Sequence, residues 1–306
     1  MKCTRCLNEV DESEAFHGMH LQCFCTEFGL KSKVEFRDLS EKAISQKPKD
    51  SNQNSFGRIN SSFFHGAFRK YSATLENNNY ILKVQQPEYP ELPAIEFLSN
   101  QLAKALGINV AQFHLIRFQN QALTFVTRNI LDEHKPATLD HIYKFLPEIS
   151  RFDCETIVKS LLDATGRLAE VHRFVEICLF DSLIGNHDRH GRNLAYLTKA
   201  GGARTLAPFY DNPSYLGIAE EIILGSDLQP KGTIFTKDSE EPTTLSYMVE
   251  FRRLELGTVV DLVKAKFITK SSTIFQMCKD YPFISEKRKA ALIRLIEGRL
   301  SELENG

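Results

Sequence analysis

One change of periodicity divides this chain and limits what it can fold into. In the first half, apolar residues sit in short β-prone runs; from Asp153 onward they recur three and four apart, the period of helices packed on a core. "KYSATL" and "NYILKV" flank "ENNN", a turn composition, and predict a hairpin. "NVAQFHLIRFQNQALTFVTRNIL" predicts two more strands with "QNQ" as the turn. Between the two pairs, Ile95, Leu98, Leu102 and Leu106 have helical spacing, with Pro93 in the first turn and Gly107 as the stop. Downstream, "ETIVKSLLDATGRLAEVHRFVEICLFDSLIGN" reads as two helices broken at Gly166, and "NLAYLTKAGGARTLAPFYDNPS" as a second hairpin turning on "AGGA". The C-terminal stretch ending "KRKAALIRLIEGRLSELENG" is helical again. A chain of 306 residues can bury a large core. Strands first and helices second predict an α+β protein of two lobes.

Composition narrows the chemistry. Apolar and charged shares of 42% and 25% are ordinary for a soluble globular protein, and a net charge of −1 gives no electrostatic reason to expect direct nucleic-acid binding. No apolar stretch is long enough for a membrane span, and "MKCTRCLNEV" lacks the apolar core of a secretory signal, so the expected location is the cytoplasm. Four of the 7 cysteines fall within "MKCTRCLNEVDESEAFHGMHLQCFC". In a reducing compartment such clustering favours a metal over disulfides. Cys3 and Cys6 form one CxxC pair, and His20 and Cys23 repeat its spacing. Zinc takes four nitrogen or sulfur ligands, which two short knuckles can supply. Cys25 and His17 are spare ligands, and a reduced, metal-free tail is the alternative. The polar residues 31–57 read as a linker.

The densest chemistry is "GNHDRHGRN", Gly185 to Asn193, after the apolar run "VEICLFDSLI". A polar turn needs Asp and Asn only for its own hydrogen bonds. "GNHD" also occurs in two-metal phosphoesterases, but those need an Asp-x-His and a Gly-His-x-His that this sequence lacks. A zinc site from His187, Asp188 and His190 is weak, because neighbouring side chains in a tight loop diverge. A phosphotransferase fits the spacing. Asp188 would accept the proton of an attacking hydroxyl, Asn193 would hold Mg²⁺, and Asp211, past the second hairpin, would hold Mg²⁺ against the phosphates. Lys83, in a predicted strand, sits where a lysine would meet the phosphates of ATP, with Glu96 available to orient it.

The set "SSFFHGAFRKYSATL…NYILKV…PELPAIEFLSNQLAKALG…FDSLIGNHDRHGRNLAYL…LAPFYDNPS" resembles the HipA family of bacterial Ser/Thr kinases, toxins of HipBA-type toxin–antitoxin modules. The resemblance covers roughly residues 55–300 and is most specific at the "IGNxDxHxxN" and "LAPxYD" blocks. It implies a bilobal protein-kinase-like fold related to the phosphoinositide kinases, with a strand-rich N-lobe over 58–128 and a helical C-lobe over 129–306. It implies Asp188 as catalytic base, Asn193 and Asp211 as Mg²⁺ ligands, and Lys83 on the ATP phosphates. His190 and Tyr210 would line the nucleotide site, Thr127, Arg128 and Asn129 the hinge facing adenine. His65, Gly66, Ala67, Phe68, Arg69 and Lys70 would form the loop over the phosphates.

Two features depart from full-length HipA. Its small N-terminal subdomain is not matched, as in the short HipT-type kinases of HipBST modules, which implies a small HipS-like antitoxin beside a HipB-like helix-turn-helix protein. The family's autophosphorylated loop serine, in Ser-x-x-Gly, is replaced at that spacing by Phe63, which leaves Ser61 and Ser62 as the sites of self-phosphorylation. Aminoacyl-tRNA synthetases are the protein substrates the resemblance implies. A catalytically silent nucleotide-binding protein and a kinase of small molecules or lipids are the alternatives.

Overall fold

A computed structural model describes residues 1–41, 68–146 and 151–306. Its first lobe is a five-stranded antiparallel sheet of β1 (Arg37–Glu41), β2 (Arg69–Leu75), β3 (Asn78–Val84), β4 (Phe113–Phe118) and β5 (Ala122–Arg128), in the order β1-β2-β3-β5-β4. Both expected hairpins of this lobe form. The β4–β5 turn places Gln119, Asn120 and Gln121 at φ 32°, 53° and 64°, a left-handed path that a polar turn tolerates better than a β-branched one would.

Strand side chains alternate, so the sheet has two different faces. Tyr71, Ala73 and Leu75 of β2, Tyr80, Leu82 and Val84 of β3, and Ile116, Phe118 and Val126 share one core with Phe16, Phe24, Phe28 and Phe36. The covering element is α1 (Leu21–Phe28) with its flanking residues. The N-terminal segment is therefore packed onto the lobe and is not a free tail. The 31–57 stretch is likewise no linker in its first part, because Phe36 is buried in that core and β1 pairs with β2 as the edge strand. All five β1 residues are exposed, so no apolar period marks the strand. Residues 42–57 lie outside the described residues. The opposite face, through Leu115, Leu123 and Phe125, packs on α2 (Leu92–Ala105), which buries Ile95, Leu98 and Leu102.

The second lobe follows the one-turn helix α3 (Ile130–Glu133). It contains α4 (Cys154–Thr165), α5 (Leu168–Ile184), α6 (Thr244–Arg253), α7 (Gly257–Thr269), α8 (Ser271–Asp280) and α9 (Glu286–Asn305). A three-stranded sheet, β6 (Ala137–His141), β7 (Ala195–Lys199) and β8 (Arg204–Leu206), flanks them in the order β6-β7-β8. β7 and β8 are the second hairpin. β6 was not apparent in the sequence, since its partner β7 lies far along the chain. Helix α5 is the axis of the lobe, in contact with α4, α6, α7 and α9. Its Phe174, Val175, Ile177, Leu179, Phe180 and Leu183 are fully buried, each worth about 1.5–3 kcal/mol of apolar burial. The helix stops at Gly185, whose φ is 69° and where a Cβ would lie 2.6 Å from Pro230 and 2.8 Å from Leu295. Only glycine suits both the turn and the space.

Candidate active site

Asp181 lies one turn before the end of α5, buried in an otherwise apolar stretch. A carboxylate there must be paired. Arg189, from the following loop, meets it with two parallel bonds, Nε to Oδ2 at 2.7 Å and Nη2 to Oδ1 at 2.8 Å. The same guanidinium donates to the carbonyls of Tyr210 at 2.8 Å and Asn193 at 3.2 Å, and to Asn212 Oδ1 at 2.5 Å. Asn212 Nδ2 then reaches Asn100 Oδ1 on α2 at 2.8 Å. One buried cation thus ties the end of α5, the loop, the segment after β8 and, through Asn212, the helix of the other lobe. Burial opposes ionisation of this guanidinium, but Asp181 outweighs it and holds its pKa above the ordinary arginine value.

The loop is closed by further bonds. Asn186 donates to Asp181 at 2.8 Å and accepts from the Asp188 amide at 3.0 Å. Asn193 Nδ2 donates to the Asp188 carbonyl at 2.9 Å, which leaves its amide oxygen as the atom able to meet a cation. His187 Nδ1 bonds to the Lys231 carbonyl. Asp188, His190 and Asn193 are all buried. Burial, with Arg189, Arg192 and Lys70 nearby, pushes His190 down to about 4, so its imidazole is neutral at pH 7.

Lys83 approaches from the sheet. It is buried beside Phe125, its cross-strand partner on β5, with Nζ 5.0 Å from the Phe68 ring and 5.5 Å from the Phe125 ring. Its ammonium lies 2.5 Å from Glu96 Oε1 and 2.6 Å from Asp211 Oδ1. Burial disfavours a charge here, but Asp211 and Glu96 outweigh it and hold Lys83 above the ordinary lysine value. Burial also raises Asp211, yet Lys83 and Lys70 win and keep that carboxyl well below the usual range. For Glu96 burial dominates, and its pKa is raised. Asp211 has φ 51°, a left-handed conformation unusual for a non-glycine residue, of the kind that clusters at functional sites.

Other expected site residues divide into three groups. Arg128 binds Gln112 at 3.1 Å and Glu133 at 3.5 Å, and Asn129 caps α3 through the Leu131 amide at 3.0 Å, so both side chains are engaged at the β5–α3 junction. Thr127 is partly exposed at the end of β5. Tyr210 donates to the Arg192 carbonyl at 2.7 Å and lies against His141. Phe68 is buried against Leu92, Arg69 is 3.6 Å from Glu41, and Lys70 stands opposite Lys83 in the β2–β3 register. His65, Gly66, Ala67, Ser61 and Ser62 lie outside the described residues. At the N-terminus, the ligand atoms of Cys3, Cys6, His20 and Cys23 converge within 4.8 Å of one another. His17 is not among them; it bonds Glu35 at 3.0 Å and stacks on Phe24. Sequence reasoning missed Arg189 and Asp181. The signal was an Asp within the apolar last turns of the helix, which demands a buried cation.

The Asp211 carboxylate and the Asn193 amide oxygen are hard oxygen donors, the set that suits Mg²⁺. A strand-borne cation above a loop of oxygen donors, with a partly exposed aspartate between them, is the arrangement of a bilobal kinase fold. Residues 61–253 match the HipA-like C-terminal domain family, and the chain belongs to it. A putative kinase of Haemophilus influenzae is 28% identical over 159 residues, 46% of this chain and 46% of that protein, so the chain spans under half of that relative's length. Among solved structures, the Helicobacter pylori proinflammatory kinase CtkA is similar over 79% of this chain and 91% of its own, with TM-score 0.64 and 15% identity. The Shewanella oneidensis toxin–antitoxin protein HipA, solved with HipB and operator DNA, is similar over 88% of this chain and 72% of its own, with TM-score 0.59 and 16% identity. Among the described residues no helix is long and apolar enough to cross a membrane.

Proposed function

We propose that this chain is an ATP- and Mg²⁺-dependent Ser/Thr protein kinase that acts as the toxin of a HipA/HipT-type toxin–antitoxin module. The observation that carries the reading is Lys83 held between Glu96 and Asp211, at 2.5 Å and 2.6 Å, beside the Asp188–Asn193 loop. A lysine so fixed is placed to bind nucleotide phosphates with little reorganisation. Asp188 is the base: its backbone is pinned on both sides, by Asn186 and Asn193, so its carboxylate is presented from a rigid frame to a hydroxyl proton. Asp211 and Asn193 are the residues that would hold Mg²⁺, which when bound supplies charge neutralisation at the phosphates. Neutral His190 and the Thr127–Asn129 crossing would border the nucleotide.

The protein substrate is proposed to be an aminoacyl-tRNA synthetase, with the loop serines Ser61 and Ser62 as sites of self-modification and HipS-like and HipB-like proteins as antitoxins, in the bacterial cytoplasm. The solved HipA complex with HipB supports the last pairing by fold. Incubation of the purified chain with γ-labelled ATP, Mg²⁺ and a panel of synthetases tests the reading. Label on a synthetase Ser or Thr is expected, as is growth arrest on expression that Asp188→Asn abolishes. Label appearing only on choline-like or lipid hydroxyls would contradict protein specificity.

A further inference from the structure

We infer that Cys3, Cys6, His20 and Cys23 bind one structural zinc ion, and that this ion staples the N-terminal segment to the back of the sheet that carries Lys83. His20 Nδ1 lies 3.5 Å from Cys6 Sγ and 3.8 Å from Cys23 Sγ. Zinc bonds of about 2.3 Å to sulfur and 2.0–2.1 Å to nitrogen, set tetrahedrally, give donor–donor edges of about 3.5–3.8 Å. Both of these pairs therefore stand at coordination spacing, and all four donors lie within 4.8 Å of one another. His20 Nε2 lies 3.0 Å from the Glu9 carbonyl and donates to it, which fixes the tautomer that leaves the Nδ1 lone pair towards the thiols. Cys3 is fully buried. None of the cysteines in the segment is in a disulfide.

The backbone is shaped for the same purpose. Leu7 turns left-handed at φ 63° immediately after Cys6 and bonds back to the Cys3 carbonyl at 3.1 Å. His17 and Gly18, at φ 50° and 77°, make the two-residue turn between Phe16 and Met19. That turn delivers His20 to the start of α1, where its ring forms no cap bond, and puts Cys23 in the first turn of the helix. With three thiols and one imidazole the tetrahedron is filled, so the site is structural and not catalytic.

The segment needs such a staple. A helix of 8 residues is not stable alone, and chains below about 40 residues usually depend on a metal, disulfides or assembly. Once closed, the segment grips the sheet. Glu27 joins Arg5 at 2.8 Å to His114 of β4 at 2.9 Å, and the Arg117 amide donates to the His17 carbonyl at 2.9 Å. Leu82 and Val84, the strand neighbours of Lys83, are buried in the shared core.

The test uses the full chain, purified without chelator. About one equivalent of zinc is expected by elemental analysis. Cobalt in its place should give thiolate-to-metal charge transfer in the near ultraviolet and the intense visible bands of a tetrahedral site. Cys6→Ser and Cys23→Ser should lose or shift that spectrum, while Cys25→Ser keeps it. Chelation should lower the melting temperature by several degrees, with recovery on adding zinc and none on adding magnesium. Should the serine variants fail to fold, the wild-type cobalt spectrum still decides. Less than about a tenth of an equivalent of zinc, a cobalt spectrum without thiolate bands, or a disulfide between these cysteines in the purified chain would overturn the site.

Discussion

Two blocks of this chain are dense in ligand-type side chains, and they keep their shape by opposite means. The Gly185–Asn193 loop is closed by its own hydrogen bonds: Arg189 satisfies Asp181, Asn186 and Asn193 pin the backbone of Asp188, and His187 is committed to a carbonyl. The N-terminal block has four donors converging on a common centre, Cys3 buried and the other three partly exposed. A loop with the proposed role of admitting a phosphate and releasing it is better fixed by the protein, so that ligand exchange leaves its frame intact. A small segment with little core of its own can borrow its stability from an ion that stays. Metal dependence, on this account, belongs to stability in one block and to turnover in the other.

The largest effect on folding should come from Arg189. Arg189→Ala would strand the buried Asp181 carboxylate and cost about 3–5 kcal/mol, read by urea or thermal unfolding, with no recovery on adding zinc or magnesium. Replacing both partners by apolar residues, Asp181→Leu with Arg189→Met, should cost much less. Equal losses in the single and double variants would show that packing and not the charge pair holds the loop. Asp211→Ala should lower phosphoryl transfer by about 10²–10³-fold and abolish the magnesium enhancement of ATP binding seen by calorimetry, while zinc content stays unchanged. Retention of that enhancement would remove Asp211 from the metal site. Gly185→Ala combines a strained φ with a Cβ driven into Pro230 and Leu295, and should destabilise by about 1–3 kcal/mol. The smallest effect is expected at Cys25, which stands next to the N-terminal cluster in sequence but outside it in space. Cys25→Ser should change stability by no more than about 0.5 kcal/mol and leave zinc content as it was; a clear loss of metal would redraw the ligand set.

Much of this was legible because local signals and tertiary packing agree. The three hairpins were marked by β-prone runs and polar turns, and α4 and α5 by helical spacing broken at Gly166, which has φ 62°. The strand Lys83, the helix Glu96 and the post-hairpin Asp211 were separable as candidates because each stands at a recognisable place in its element. What stayed hidden depends on distant partners. β1 is exposed at every position and exists through its pairing with β2. β6 is five residues paired with a strand over fifty positions away. Phe36 reads as a lone aromatic in a polar stretch until the back of the sheet receives it. Arg189 sat in plain view inside the polar block, but its role needed Asp181, and a carboxylate within the apolar run before the loop was the pointer to it.

The central claim is that the pinned loop presents Asp188 as a base to a hydroxyl while the nucleotide is held elsewhere. Asp188→Asn tests it most directly, with labelled phosphate incorporation and the nucleotide-induced melting shift measured on the same preparation. The account predicts a loss of transfer of about 10³-fold with the nucleotide shift retained. Transfer at the wild-type rate in that variant would contradict it.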